Sequence, residues 1–241
     1  MNLAEIAALL GLNLGLLLAT MTGLWALSRP WKGTGFIDAV WPLALAAPAA
    51  TTFLLVDGDP VRKGLLLWLV TLWAVPQAWR RLKPPARAAS DARYAAVAEA
   101  QAARRGWSRD RTRLLLFFLP QGALAWLAST PAQLGQVDFL PAVGWVGWTG
   151  AVLAVAGIGL EGLGSLRLAK RPSADPSSFR GARLWLRRPD YLGDLAVWWG
   201  LFLIAAETGA GRASVLGPIF LTVLLARWAK TENPRRVSDG G

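Results

Sequence analysis

The sequence predicts an all-α, polytopic membrane protein: a bundle of seven transmembrane helices with the N-terminus outside and the C-terminus inside. Three observations carry that prediction. First, 54% of the 241 residues are hydrophobic and only 17% charged, with 14 Trp; a soluble domain carries more charge and fewer indoles. Second, several apolar runs reach the roughly 17–25 residues that a helix needs to cross a bilayer. Third, the basic residues alternate between loops. Two (Arg29, Lys32), ten (Arg80–Arg113), seven (Arg167–Arg188) and four (Arg227 onward) fall in every second connection, which places 23 of 26 on one side. By the positive-inside rule that side is cytoplasmic, and an even number of helices would destroy the alternation.

Helix one is expected over Leu3–Leu27, interrupted by Glu5 and Asn13 and stopped at Ser28-Arg29-Pro30. It has no basic n-region and no small-residue cleavage site, so it reads as a membrane helix rather than a signal peptide. Helix two covers Phe36–Val56 with Asp38, Pro42 and Pro48 inside it, and the Asp57–Pro60 sequence DGDP makes a turn. Helix three runs Gly64–Trp79, with Pro76-Gln77 near its end. The polar stretch Arg80–Arg113 follows; its centre, Ser90–Arg105, is rich in helix formers and reads as an amphipathic helix lying at the interface. Helix four, Leu114–Ser129, contains Pro120-Gln121, and Thr130–Pro141 is an outer loop without Lys or Arg. Helix five is expected over Ala142–Leu163, helix six over Tyr191–Ala206 and helix seven over Ser214–Trp228, with the basic segment Gly164–Arg188 between five and six. Residues 1–228 thus form one transmembrane domain, and the polar tail 229–241 is expected to be disordered.

Composition excludes several chemistries. There is no Cys and no His, so thiol chemistry, imidazole bases and the usual zinc sites are absent, and no metal site is expected. The net charge of +11 sits in loops on one side and marks membrane orientation, not nucleic-acid binding. The plasma (inner) membrane is the expected location. Proton chemistry must use Asp, Glu, Tyr, Lys or water.

Ionisable residues at membrane depth are functional candidates by default. Asp38, Glu161, Asp190 and Asp194 all fall near predicted cytoplasmic helix ends, with Arg180, Arg187 and Arg188 in the adjoining loop. Arginine offers a planar fork that fits phosphate. Positive-inside flanks account for the arginines alone, and simple ion pairs account for each acid alone; convergence on one end favours a site. Glu207 and Asp138 lie on the outer side and are expected to be solvated. Gln77 and Gln121 either meet a ligand or serve the backbone carbonyls freed by Pro76 and Pro120. Trp198 and Trp199 point about 100° apart on a helix, so only one of them can face a given pocket fully. Gly162, Gly164 and Gly193 lack the strand–turn–helix context of a dinucleotide fingerprint.

The order of motifs resembles the steroid 5-alpha-reductase superfamily, in particular its bacterial branch. The matching residues are Glu161, Gly164, Gly181, Arg187, Pro189, Tyr191, Gly193, Asp194, Trp198, Trp199 and Gly200, followed by Gly217-Pro218. Upstream, FIDAVWPL (Phe36–Leu43), SDARYAAV (Ser90–Val97) and FFLPQGALAWL (Phe117–Leu127) resemble further family segments, so the likeness covers nearly the whole chain. It implies a membrane reductase that takes NADPH from the cytoplasm. Such an enzyme transfers hydride to a carbon–carbon double bond conjugated to a ketone, in a steroid or other lipid drawn from the bilayer. It further implies that Glu161, Arg180, Arg187, Asp190, Tyr191, Asp194 and Trp199 surround the cofactor; Asp38 and Gln77 are assigned to the substrate side. The chain departs from the family pattern at Ser165, Arg167, Arg188 and Asp190, and its tail KTENPRRVSDGG lacks the family's closing motif. Two alternatives stay open: a non-catalytic lipid-binding member of the same fold, and an S-adenosylmethionine-dependent membrane methyltransferase, for which only Glu232 stands where paired acids are needed.

Overall fold

The computed structural model describes residues 1–30, 33–139, 141–170 and 189–231, with backbone alone at 163–170, 189–190 and 228–231. The described residues form helices and turns without a strand. In chain order the helices are α1 Leu3–Ser28, α2 Ile37–Leu55, α3 Pro60–Leu82, α4 Pro84–Arg105, α5 Arg109–Arg113, α6 Leu119–Ala128, α7 Thr130–Leu134, α8 Trp145–Lys170, α9 Pro189–Ala205, α10 Gly209–Arg212 and α11 Leu216–Thr231. Among the described residues, four stretches are long and apolar enough to cross a membrane: Leu3–Ser28, Ile37–Leu55, Trp145–Gly162 and Gly209–Arg227; Tyr191–Ala205 is a shorter apolar helix.

Local chemistry sets the helix boundaries. Asn2 and Glu5 form a reciprocal capping box at the start of α1. Asp59 accepts from the Arg62 amide at 2.7 Å and Pro60 opens α3, whose missing N–H costs nothing there. Gly106 ends α4 in the left-handed conformation, φ 65°. Between α5 and α6 the chain makes one wide π-helical turn, Leu114–Phe118. Pro120 lacks an N–H to donate into that turn, and the wider turn accommodates it.

α8 and α9 pack backbone to backbone. A Cβ at Gly157 would stand 2.7 Å from the Gly193 carbonyl oxygen, and one at Gly200 would stand 2.5 Å from that of Gly150. This close approach draws the helix bearing Glu161 against the helix bearing Asp194.

Two expectations are corrected. Thr130–Pro141 is more than a connecting loop: residues 128–137 are buried throughout and include the short helix α7. Its polar groups are matched from inside the bundle. Asn13 Nδ2 donates to Thr52 Oγ1 at 3.1 Å and to Gln133 Oε1 at 3.0 Å, and Gln136 Nε2 donates to the Ala49 carbonyl at 3.0 Å. Irregular backbone is tolerated at such depth only when it is satisfied by protein in this way. Nor is Glu207 merely solvated. Its carboxylate accepts from the amides of Gly144 and Gly147, each at 2.9 Å, at the start of α8, and it lies 3.6 Å from Arg62, whose side chain is fully buried. Asp138, half-buried, accepts from the Ala210 amide at 3.4 Å.

Candidate functional site

The polar groups of the opposite end gather from three helices. On α3, Trp73, Gln77 and Arg80 follow at spacings of four and three, which puts them on one helical face. Glu161 arrives from α8 and Asp194 from α9. Trp73 Nε1 donates to Glu161 Oε1 at 2.7 Å and to Asp194 Oδ1 at 3.0 Å, so one indole N–H serves both carboxylates. Gln77 Nε2 donates to Glu161 Oε2 and, at 3.4 Å, to Asp194 Oδ1. Arg80 Nη2 stands 3.4 Å from Glu161 Oε2. The Trp198 ring packs edge-on against Trp73, centroids 5.5 Å apart. Glu161 is 4% exposed. A cleft of about 130 Å³ opens beside this group, lined by Leu72, Trp73, Pro76, Arg80, Ile158, Glu161 and Gly162. A more open basin of about 410 Å³ lies at the other end, lined by Glu5, Asp57 and Asp138 among others; it contains none of these groups.

A second cluster forms where the N-terminus of α2 meets α4. Asp38 accepts from Tyr94 Oη at 2.6 Å, from Ser90 Oγ at 2.5 Å and from Arg93 Nη2 at 2.6 Å. Gln121 Nε2 donates to Tyr94 Oη at 3.0 Å, and Phe117 packs on the Tyr94 ring with centroids 4.8 Å apart. Asp91 receives the Gly35 amide. The three segments FIDAVWPL, SDARYAAV and FFLPQGALAWL therefore meet at one point. Arg81 links the two clusters. Its guanidinium lies within electrostatic reach of Asp38, Glu161 and Asp194, and its buried Nη1 has no hydrogen-bond partner among the described residues.

The residues picked from sequence fall as follows. Glu161, Asp194 and Gln77 stand together. Asp38 sits in the second cluster. Tyr191 is buried in the first turn of α9. Trp199 turns away: its Nε1 donates to Thr222 Oγ1 at 3.2 Å and its ring packs edge-on to Phe202, while Trp198 is the member that joins the site. Arg180 and Arg187 lie outside the described residues, as does the side chain of Asp190. Neither Gln77 nor Gln121 serves a carbonyl freed by its neighbouring proline; each donates to a side chain. Trp73, Arg80, Arg81 and Ser90 were missed. The signal for the α3 residues was their spacing from Gln77 on one face, which only matters once Glu161 is known to meet that face.

Tyr94 supplies a direct check. Its phenol is pushed above the ordinary tyrosine value, first by burial and then by the Asp38 carboxylate that accepts its proton. Tyr94 and Tyr191 are the two tyrosines of the chain. In an absorbance titration, the phenolate signal lost in Tyr94→Phe should rise only above the usual value of about 10. Because the folded value exceeds the unfolded one, the linked stabilisation is fully present below about pH 10 and is lost as pH climbs through the folded value. Ionisation of Tyr94 at its ordinary value would contradict the partly buried pairing with Asp38.

No curated protein and no solved structure matches the chain. Residues 24–236 match a family model described as a protein of unknown function (DUF1295), and the chain belongs to that family.

Proposed function

We propose that this protein is an integral-membrane reductase that uses NADPH to reduce a carbon–carbon double bond conjugated to a ketone in a steroid or other lipid. In this reading it passes the bilayer seven times, with the paired clusters at the cytoplasmic end. The carrying observation is that Asp38 and its partners stand at the same end of the bundle as the Glu161–Asp194 pair, with the buried, unpartnered Nη1 of Arg81 between them. The resemblance of the motifs that meet there adds to it.

The residues fit the cofactor in part. An orphaned guanidinium donor beside Arg80 suits an anionic or carbonyl oxygen. The 130 Å³ cleft is comparable with the cavity of about 150 Å³ that holds benzene in another protein, so it takes one ring and not a dinucleotide. Arg180 and Arg187, which by the resemblance would hold the phosphates, are outside the described residues. NADPH would supply the hydride. The chain's own contributions are then distinct. Glu161 and Asp194, fixed by Trp73 and Gln77, accept hydrogen bonds from a carboxamide-bearing ring. Trp73 and Trp198 exclude water from it, which strengthens every polar contact inside. Tyr94 donates its one proton to Asp38 and accepts from Gln121, so it would reach a ketone oxygen or its enolate only by exchanging the Asp38 bond for it.

The test is cofactor binding by the detergent-purified chain, read from nicotinamide fluorescence. Wild type should bind NADPH below about 1 mM, within the usual range for enzyme ligands. Arg81→Ala should weaken binding about tenfold, the loss of one charge-assisted hydrogen bond. No binding by wild type at that concentration overturns the reading. Lipid retention without NADPH would then point to the non-catalytic alternative, and preference for S-adenosylmethionine to the methyltransferase.

A further inference from the structure

The corner between α4 and α5 has the sequence RRGWSRDR (Arg104–Arg111). Gly106 ends α4 and the Ser108 side chain accepts from the Arg111 amide to start α5. The tight reversal brings guanidinium groups from both helices onto one indole. Arg105 lies 4.9 Å and Arg111 5.0 Å from the Trp107 ring centre. Arg104 and Arg109 flank them, and all four arginines are exposed.

These four charges are not neutralised among the described residues. The neighbouring carboxylate, Asp110, is engaged by Arg29 at 3.4 Å and Arg113 at 3.6 Å. Elsewhere on α3 and α4, Arg80 pairs with Glu161, Arg87 with Asp91 and Arg93 with Asp38. The indole face attracts each guanidinium, while the like charges it gathers repel one another and an anion among them relieves that repulsion; planar guanidinium groups held in place suit phosphate.

The corner's depth identifies the anion's source. α1 is an apolar helix long enough to cross a membrane, and it ends at Ser28. The corner is tied to that end: Trp25 Nε1 donates to the Asp110 carbonyl at 3.0 Å, and Arg113 Nη2 donates to Ser28 Oγ at 3.1 Å. Arg109 and Arg111 flank Asp110 and so stand where the apolar span gives way to headgroups. We propose that this corner binds the phosphate headgroup of an anionic phospholipid, with Arg105 and Arg111 held on Trp107 as its principal ligands. Charge complementarity with the leaflet surface supports that occupant, and the proposal is independent of the reductase reading.

The test uses the full chain in mixed micelles with phosphatidylglycerol, phosphatidylcholine or inorganic phosphate at equal phosphate concentration. Phosphatidylglycerol should raise the thermal midpoint by several degrees and remain bound in native mass spectra. The other two should do neither. The double variant Arg105→Gln/Arg111→Gln, both sites exposed, should keep the lipid-free midpoint and lose the shift and the retained lipid. Arg105→Lys/Arg111→Lys should lose most of both, because lysine keeps the charge without the planar fork. An equal shift from phosphatidylcholine or from inorganic phosphate overturns the proposal. So does an unchanged shift in the Gln variant, or full retention by the Lys variant, which would reduce the corner to diffuse positive charge.

Discussion

Asp38→Ala should release α4 from the bundle while leaving the α8–α9 pair intact. Three side chains of α4 converge on this one carboxylate: Ser90, Arg93 and Tyr94. Apart from them, the helix is held by the Gly35 amide on Asp91, by Phe117 against the Tyr94 ring and by Ala98, its one buried residue. Hydrogen bonds to a charged acceptor contribute about 1.5–3 kcal/mol each. The Arg93 pair is discounted heavily because its side chain is 62% exposed. Ser90 and Tyr94 are left to carry roughly 3 kcal/mol of local stability, and removing the acceptor also strands the Tyr94 hydroxyl, with Gln121 still donating to it. Amide hydrogen exchange in α4 should therefore accelerate about 100-fold, with trypsin cleaving at Arg87 or Arg93 first. Exchange in α8 and α9 should not change. Asp38→Asn, which retains one acceptor oxygen, should fall between. Unchanged exchange in α4 would mean that the carboxylate does not hold it.

That result bears on how much of the site was legible in the sequence. The three segments that meet at Asp38 are each visible as motifs, and the acids stand out because ionisable residues at membrane depth are functional candidates. What the sequence did not show is how helix faces rotate toward one another. Glu161 and Asp194 are 33 positions apart and meet because glycines at 157, 193 and 200 remove the side chains that would separate α8 from α9. The same rotation decides that Trp198, not Trp199, enters the site. The sequence sets Gln77 beside Pro76 and does not show that Trp73 and Arg80 on the same face of α3 meet the same acids. Their function comes only from the helix opposite. The buried α7 segment was misjudged for a related reason. Its lack of Lys and Arg is plain in the sequence, but nothing there shows that Gln133 will meet Asn13 and Gln136 the Ala49 carbonyl inside the bundle.

The largest loss of stability is expected far from the site, at Glu207. Replacing it with Leu leaves the Arg62 guanidinium, 0% exposed, without a carboxylate partner among the described residues. Its Nε and Nη1 already lack hydrogen-bond partners, and Nη2 is left with the Pro141 carbonyl. Breaking a buried pair on one side costs about 3–5 kcal/mol, because the surviving charge stays buried. The substitution also deprives α8 of the anion that receives two of its first amides, from Gly144 and Gly147. For a chain of this size the thermal midpoint should fall by about 10 °C. Arg62→Met should cost less, since Glu207 keeps those two amides and the positive end of the α8 dipole. The asymmetry separates this account from generic damage to a core. The double variant Arg62→Met/Glu207→Leu should be more stable than Glu207→Leu alone, as removing the buried charge relieves the larger penalty. If the two losses simply add, Arg62 does not depend on Glu207 for its charge, and the pair only fills space between α3, α8 and α9.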